Sequence, residues 1–291
     1  MSRRAQSIHF HKVSGAGNHF VLLDARRGRL EAHPILRSGR MVRALCARGH
    51  SVGADGVLFI RESRTADFRL AYYNSDGREA ALCGNGTRCA ALYAFENGLA
   101  PARMTIEVGS GTVGAVVRGR KVELALDEPS DFRPNLNLKT KFGLVRGDFV
   151  NTGVPHFVTI RGNLGTLDVD GLGREIRRHR AFGSSGANVN FVRVLQGGGV
   201  ELRTYERGVE AETLACGTGA AAAAVCLAQR GLVRPPVRVR TRGGDTLRVR
   251  FKEPSNPLSQ IFLQGSAQLV YEGVMGLDTL RAAAGKVAGA R

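Results

Sequence analysis

NSDGREAALCGNGTRCAALYAFENG (residues 74–98) and YERGVEAETLACGTGAAAAAVCLAQRG (residues 205–231) are built alike. Each opens with a turn that carries an acidic residue. Each continues to Cys-Gly-x-Gly and then to an alanine-rich stretch that stops at glycine. A strand-like run precedes each one, FRLAYYN before the first and VELRTYE before the second. The two cysteines, Cys83 and Cys216, stand 133 positions apart. That separation is too long for a solenoid repeat and points to two duplicated halves.

The stretch after each cysteine predicts a helix. Ala90, Ala91 and Ala94 favour the first and Ala220 to Ala224 the second, because alanine loses least on entering a helix. Gly98 and Gly231 are placed to end them. Both stretches are nearly free of charge past the first turn, so each helix is expected to be buried all round. Most of the remaining chain alternates like strand. Residues 104–126 suit a meander, and HFVTI, NVNFVRV, VRVRT, TLRVRF and IFLQGSAQLVYEG suit further strands. Shorter helices are predicted at 36–47 and 171–180. DEPSDFRPNLN (127–137), with its two prolines, reads as a linker. The last strand, near 267–271, suits either half by pattern. The predicted fold is therefore α/β, in two pseudo-symmetric halves. Each half is a curved, mostly antiparallel sheet wrapped around one central buried helix.

The 291 residues are enough for two ordinary domains, and 43% of them are hydrophobic, enough for real cores. No apolar run reaches the length of a membrane span, and the basic N-terminus lacks the apolar stretch of a signal peptide. A cytoplasmic protein without a membrane partner is expected. Five cysteines with no CxxC pair fit neither a disulfide framework nor a zinc site. No metal is expected. The formal charge of +17 raises the question of a nucleic-acid partner. The basic residues are spread along the chain without a block of like charge, and only 6% of residues are aromatic. The chain therefore lacks a stacking platform, and no nucleic acid is expected.

A cysteine placed just before a helix meets the positive end of the helix dipole. The free N–H groups there favour a thiolate and bind anions, so a lowered thiol pKa is expected. The glycines let a ligand approach the backbone. Neither segment continues as a P-loop or a dinucleotide fingerprint. Two such elements facing each other would hold one carboxylate on two helix N-termini, with a sulfur on each face of the adjacent carbon. One thiolate could take the α-proton while the opposing thiol delivers another. That is cofactor-independent inversion of an α-carbon, with the carbanion stabilised by aimed N–H donors.

The motifs GAGNHFVLLD (15–24), NSDG..A.LCGNGTRC, GVPH, NVNFV and YERGVEAETLACGTGA, in that order, make the chain resemble the diaminopimelate epimerase family over nearly its full length. The resemblance implies two pseudo-symmetric domains, 1–128 joined by a C-terminal segment 266–291, and 129–265. It implies epimerisation of LL- to meso-diaminopimelate without any cofactor, in lysine and peptidoglycan precursor synthesis, by a homodimer. Cys83 and Cys216 match the acid/base pair. Gly84, Asn85, Gly217 and Thr218 match the helix N-termini on the reacting carboxylate. Asn18, Asn74 and Asn188 match substrate-binding asparagines, and Glu206 and Arg207 a substrate-binding pair. His156 and Glu206 match residues that tune the cysteines. By their residue types alone, Asn74 could serve only its turn, His156 could be a core histidine, and Arg207 one more surface arginine. Cys46, Cys89 and Cys226 match no site and read as packing.

The chain departs from the family pattern at His19, where aspartate is usual, at Gly56, where glutamine occurs, and at Val154, where asparagine is common. These bear on the identity of the substrate more than on the chemistry. The rival of the same fold is a proline or hydroxyproline racemase, whose first motif usually reads CGHG; here Asn85 stands in place of that histidine. Phenazine-biosynthesis-like isomerases lack the cysteine pair.

Overall fold

The computed structural model describes residues 7–26, 34–253 and 255–289. The chain divides into two compact units, Met1–Val122 with Ser266–Arg291, and Glu123–Gly265. The division falls inside a strand. No helix among the described residues is long and apolar enough to cross a membrane.

The first unit contains β1 (Ser7–Gly15), β2 (Asn18–Asp24), β3 (Gly56–Arg61), β4 (Phe68–Asn74), β5 (Glu79–Ala80), β6 (Arg103–Val108), β7 (Gly111–Arg118) and the start of β8 (Lys121–Ala125). Numbering strands in chain order, the C-terminal β18 (Gln268–Gly276) also belongs here, antiparallel to β1. Its helices are α1 (Gly39–Cys46), α2 (Gly84–Glu96) and α5 (Leu277–Gly289). The second unit contains β9 (Ser130–Thr140), β10 (Gly143–Asn151), β11 (Pro155–Ile160), β12 (Asn188–Val194), β13 (Val200–Glu206), β14 (Ala211–Thr213), β15 (Val237–Arg240), β16 (Thr246–Phe251) and β17 (Ile261–Ser266), with α3 (Val169–Arg177) and α4 (Gly217–Gln229).

The duplication read from the sequence is written in the strand register. In the first unit β1–β2 is antiparallel, β2–β3 parallel, β3–β4 antiparallel, β4–β6 parallel and β6–β7 antiparallel. The series β10–β11, β11–β12, β12–β13, β13–β15 and β15–β16 repeats that order. Parallel neighbours need a crossover, and helices supply it: α1 and α2 in one unit, α3 and α4 in the other. The registers match residue by residue. Gly56 pairs with Phe20 and Asn74, as Asn188 pairs with His156 and lies one step from the pair Val189–Tyr205. Tyr73 faces Glu79 as Tyr205 faces Glu212. Equivalent positions are therefore Phe20 and His156, Gly56 and Asn188, Leu58 and Asn190, Tyr72 and Thr204, and Asn74 and Glu206. Along the central helices they are Cys83 and Cys216, Gly86 and Gly219, and Arg88 and Ala221.

Each central helix is buried as its composition requires. Residues 85–94 of α2 are buried throughout, and so are 219–227 of α4. Both end the same way. The Gly98 N–H donates to the Phe95 carbonyl and the Leu99 N–H to that of Ala94. Gly231 and Leu232 make the matching bonds to Ala228 and Leu227. Gly98 (φ 65°) and Gly231 (φ 69°) take the left-handed conformation that this closure needs.

Three local expectations are corrected. Residues 127–137 are no linker: from Ser130 they form β9, which pairs with β10, and Pro134 is accommodated in that strand. The helix expected at 36–47 is interrupted at Ser38, whose hydroxyl caps α1 by accepting from the Met41 N–H; a short 3-10 turn, Pro34–Arg37, precedes it. The second short helix begins earlier, at Val169, because Asp168 caps it through the Gly171 N–H.

Close approach sets the position of α2. A Cβ on Gly15 of β1 would lie 2.7 Å from the Asn85 carbonyl oxygen and 3.0 Å from Cys89 Sγ. A Cβ on Gly98 would meet nothing within 4 Å. Gly98→Ala should therefore cost about 1 kcal/mol, the strain of the left-handed backbone alone. Gly15→Ala should cost about 1–3 kcal/mol as overpacking against helix backbone. Urea unfolding of the two variants checks the order, and equal losses would contradict it.

Candidate active site

In the first unit Cys83 is the N-cap of α2, in extended conformation (φ −136°, ψ 105°). Its carbonyl accepts from the Thr87 N–H at 2.8 Å and the Thr87 hydroxyl at 2.9 Å, which seats the first turn. Its side chain makes no capping bond. Gly86 packs close to Leu58, whose terminal methyl would lie 2.8 Å from a Cβ there. The buried Asn85 amide is fixed from both ends: its nitrogen donates to Asn18 Oδ1 at 2.5 Å, and its oxygen accepts from the Arg88 guanidinium at 2.7 Å. Asn18 and Asn85 are thus brought together. Asn74, at the end of β4, accepts from the Tyr72 hydroxyl at 2.6 Å, and its backbone closes the turn to Arg78.

In the second unit Cys216 is the N-cap of α4, and its sulfur accepts from the Gly219 N–H at 3.4 Å. The Thr218 hydroxyl lies 3.5 Å from the same sulfur, and the Thr218 carbonyl is held by the Thr152 hydroxyl at 3.0 Å. The Glu206 carboxylate acts electrostatically on the same thiol. Glu206 is anchored by the Thr213 hydroxyl at 2.6 Å. Burial pushes the Cys216 thiol well above the ordinary range and the Glu206 charge adds to this, against the smaller opposing effects of Thr218 and the Gly219 N–H. The lowered thiol pKa expected from the helix dipole is therefore wrong for Cys216. Desolvation and a neighbouring carboxylate outweigh one helix terminus. Burial likewise raises Glu206, partly offset by Thr213 and Cys216.

His156 is fully buried on β11. Its Nδ1 lies 3.0 Å from the Asn190 amide nitrogen. That amide also donates to the Phe157 carbonyl at 3.1 Å, while its oxygen accepts from the Thr204 hydroxyl at 3.0 Å. Asn190 can only donate to Nδ1, so the ring proton sits on Nε2. Asn188 makes one hydrogen bond from each end of its amide. Its oxygen accepts from the Arg207 N–H at 2.8 Å and its nitrogen donates to the Pro155 carbonyl at 3.3 Å, so it holds the Arg207 loop. Arg207 itself is half-buried.

Gly56 cannot carry a longer side chain without moving Tyr72, whose ring lies 2.6 Å from the position of a Cβ. The His19 N–H donates to the Asp55 carboxylate at 2.8 Å, and its carbonyl accepts from the Asp55 N–H. The Val154 carbonyl accepts from the Thr152 N–H in the turn before His156. Cys46, Cys89 and Cys226 are buried, and burial pushes the first two up to about 12 and the third up as well, which suits packing.

The sequence reading missed Arg88, Asn190, Tyr72, Thr152 and Thr213. Arg88 left a signal, the one charged residue in the buried run 85–94 of α2. The others carry their roles only through strand register.

Burial, with Arg207 nearby, lowers His156 to about 3. An unfolded histidine titrates near 6.5, so the unfolded chain binds the extra proton first as pH falls. This group therefore leaves stability intact above about pH 6.5 and removes it progressively from there down to about pH 3. Replacing His156 with phenylalanine, the residue at the equivalent position of the first unit, should flatten the loss of stability between pH 6 and 4. Urea unfolding at a series of pH values reads this, and an unchanged slope would contradict it.

The profile of the family described as diaminopimelate epimerase matches residues 10–129 and 149–270. A diaminopimelate epimerase from Aquifex aeolicus is 42% identical over 282 residues, covering 94% of this chain and 99% of the relative. Two solved structures share the fold. A phenazine biosynthesis protein of the PhzF family from Bacillus anthracis has a TM-score of 0.71 at 18% identity, covering 93% of this chain and 99% of its own. A probable proline racemase from Agrobacterium radiobacter has a TM-score of 0.71 at 18% identity, covering 95% of each chain. At that distance the fold alone is shared, so the fold does not separate the epimerase from its racemase rivals. The family profile and the near-full-length identity do separate them, and they coincide with two helices each capped by a cysteine: this chain belongs to the diaminopimelate epimerase family.

Proposed function

We propose that the protein interconverts LL- and meso-diaminopimelate without a cofactor, Cys83 and Cys216 dividing the proton transfers. The observation that carries this reading is the repeated cysteine N-cap. Each unit ends a strand, turns, and starts a buried helix with cysteine followed by Gly-x-Gly. A buried helix start needs acceptors for its N–H groups, and sulfur is a poor one. A substrate carboxylate would satisfy those groups better. In the proposed reaction the N–H groups of Gly84, Asn85, Gly217 and Thr218 hold the carboxylate. One sulfur then removes the α-proton and the other, as a thiol, protonates the opposite face. The charge that develops on the carboxylate is stabilised by the N–H donors of the helix starts.

The same placement supports the binding roles proposed for the neighbouring side chains. Asn18 and Asn85 form one polar pair beside the first helix start. Arg207 is presented by Asn188 and suits a distal carboxylate through a bidentate contact. Glu206 acts on Cys216 directly, and His156 acts through Asn190, which lies against Gly219 of the same helix start. The neutral His156 ring keeps extra positive charge away from the site, and Glu206 favours the protonated thiol. In this reading the products serve lysine and peptidoglycan precursor synthesis.

Purified protein incubated with LL-diaminopimelate and no added cofactor should form the meso isomer, read by chiral chromatography. Cys83→Ala and Cys216→Ala should each remove nearly all activity, because the two act as one unit and such losses do not add. Substitution of Cys46, Cys89 or Cys226 should leave most of it. An active Cys216→Ala enzyme ends the two-cysteine reading. Arg207→Lys keeps the charge but loses the fork, and should lower kcat/KM for diaminopimelate substantially. Efficient turnover of proline or alanine by the parent protein would favour the racemase reading instead.

A further inference from the structure

The formal charge of +17 is balanced in some places and not in others. On the exposed face of β15 and β16, Arg240 pairs with Glu201, which Arg193 also reaches. Arg250 pairs with Glu123 at 2.7 Å and lies over the Phe262 ring at 3.6 Å. Two residues away on the same face of each strand the pattern breaks. Arg238 and Arg248 stand directly opposite each other in the β15–β16 register, and both are exposed. The next residue across the sheet, Gln264 of β17, is neutral. Among the described residues neither guanidinium makes a hydrogen bond or an ion pair, and the same holds for Arg234 in the segment after α4.

These three arginines line one open cavity of about 440 Å³. It lies wholly within the second unit, at the end of α4 opposite Cys216. The loop before β13 forms one wall with Gly197 and Gly198, where a Cβ would meet nothing within 4 Å, so that wall is bare backbone. Leu232, 46% exposed, adds an apolar wall. Like charges set directly opposite on a sheet cost stability. Solvation accounts for a single surface arginine. It does not account for three unpaired guanidiniums lining one concave site, on strands where Arg240 and Arg250 are both paired. The placement makes sense when an anion is bound among them.

We propose that this cavity is a second ligand site, for a small molecule that carries a diphosphate. A guanidinium fork takes two oxygens of a carboxylate or phosphate at once. One carboxylate therefore satisfies one fork, whereas two linked phosphoryl groups offer oxygens and charge for all three. Arg238 and Arg248, on neighbouring strands, are set about 5 Å apart at their Cα atoms, close enough to grip one diphosphate together. The volume falls within the range of small-molecule sites, roughly 300–1,000 Å³. It leaves room beside the phosphates for a further group, which Leu232 would pack against. The bare glycine wall lets the ligand approach the backbone. The site is separate from both cysteines and takes no part in the proposed epimerisation.

The test is calorimetric titration of the full-length protein with inorganic diphosphate and with ADP, at about 0.15 M salt so that diffuse surface attraction is screened. Saturable binding with a dissociation constant of about 1 mM or below is expected for at least one of them. Arg238→Gln and Arg248→Gln should each weaken it about tenfold or more, the loss of one charge-assisted contact. Arg174→Gln removes the same charge from the exposed face of α3, outside the cavity, and should leave it unchanged. Without ligand, Arg248→Gln should unfold at the same or a higher urea concentration than the parent, because a cross-strand repulsion is relieved. If that variant does not fold, Arg234→Gln reads the same contact from the loop. Tighter binding of ADP than of diphosphate identifies a nucleotide as the source of the group, and equal binding identifies diphosphate alone; both support the site. Absence of saturable binding by either overturns the proposal. So does equal weakening by Arg174→Gln, which would mean net charge alone. Preference for a short single-stranded oligonucleotide over both would also overturn it, in favour of a nucleic-acid surface. Binding is read without turnover, so the result stands whether or not the protein epimerises diaminopimelate.

Discussion

A helix that starts inside a protein must find acceptors for its first N–H groups, and the rest of this molecule follows from how that need is met twice. Both central helices are apolar because they are buried on all sides, and both begin at a cysteine rather than at a serine or aspartate. Oxygen caps are worth about 1 kcal/mol to a helix. At Cys83 there is no side-chain capping bond, and at Cys216 there is one at 3.4 Å to sulfur. The helix starts are thus left polarised and weakly satisfied. Stability is forgone at two places, and each leaves N–H groups with a sulfur beside them, the arrangement the proposed function uses.

The duplicated scaffold lets the two sites be similar in geometry and different in chemistry. The strand pairings recur in the same register, and both helices close with the same pair of backbone bonds at Gly98 and Gly231. The side chains around the cysteines do not recur. Polar His156, Asn190 and Thr204 surround the start of α4, where the first half has Phe20, Leu58 and Tyr72. Coupling alone lets one of two interacting thiols keep its proton while the other has lost it, and a difference in surroundings decides which one does.

Much of this was legible in the sequence. The paired CGxG segments gave the duplication, alanine content gave the buried helices, and FRLAYYN and VELRTYE mark β4 and β13 to the residue. What failed was local or depended on burial. Pro134 suggested a linker, yet proline is compatible with the strand β9 formed there. Ser38 breaks a helix that hydrophobic spacing alone carries through. The dipole argument gave the wrong direction for Cys216, because desolvation and the Glu206 carboxylate depend on tertiary packing that no local pattern encodes.

The division of labour between the cysteines is tested most directly by the source of the proton at the inverted carbon. A thiol carries a single proton, so the one removed by Cys83 cannot be the one delivered by Cys216. With LL-diaminopimelate in heavy water, proton NMR within the first few per cent of conversion should show deuterium at the inverted centre of the meso product and almost none in the recovered substrate. Protium retained in the new stereoisomer, or deuterium entering unreacted substrate as fast as inversion occurs, would contradict the account.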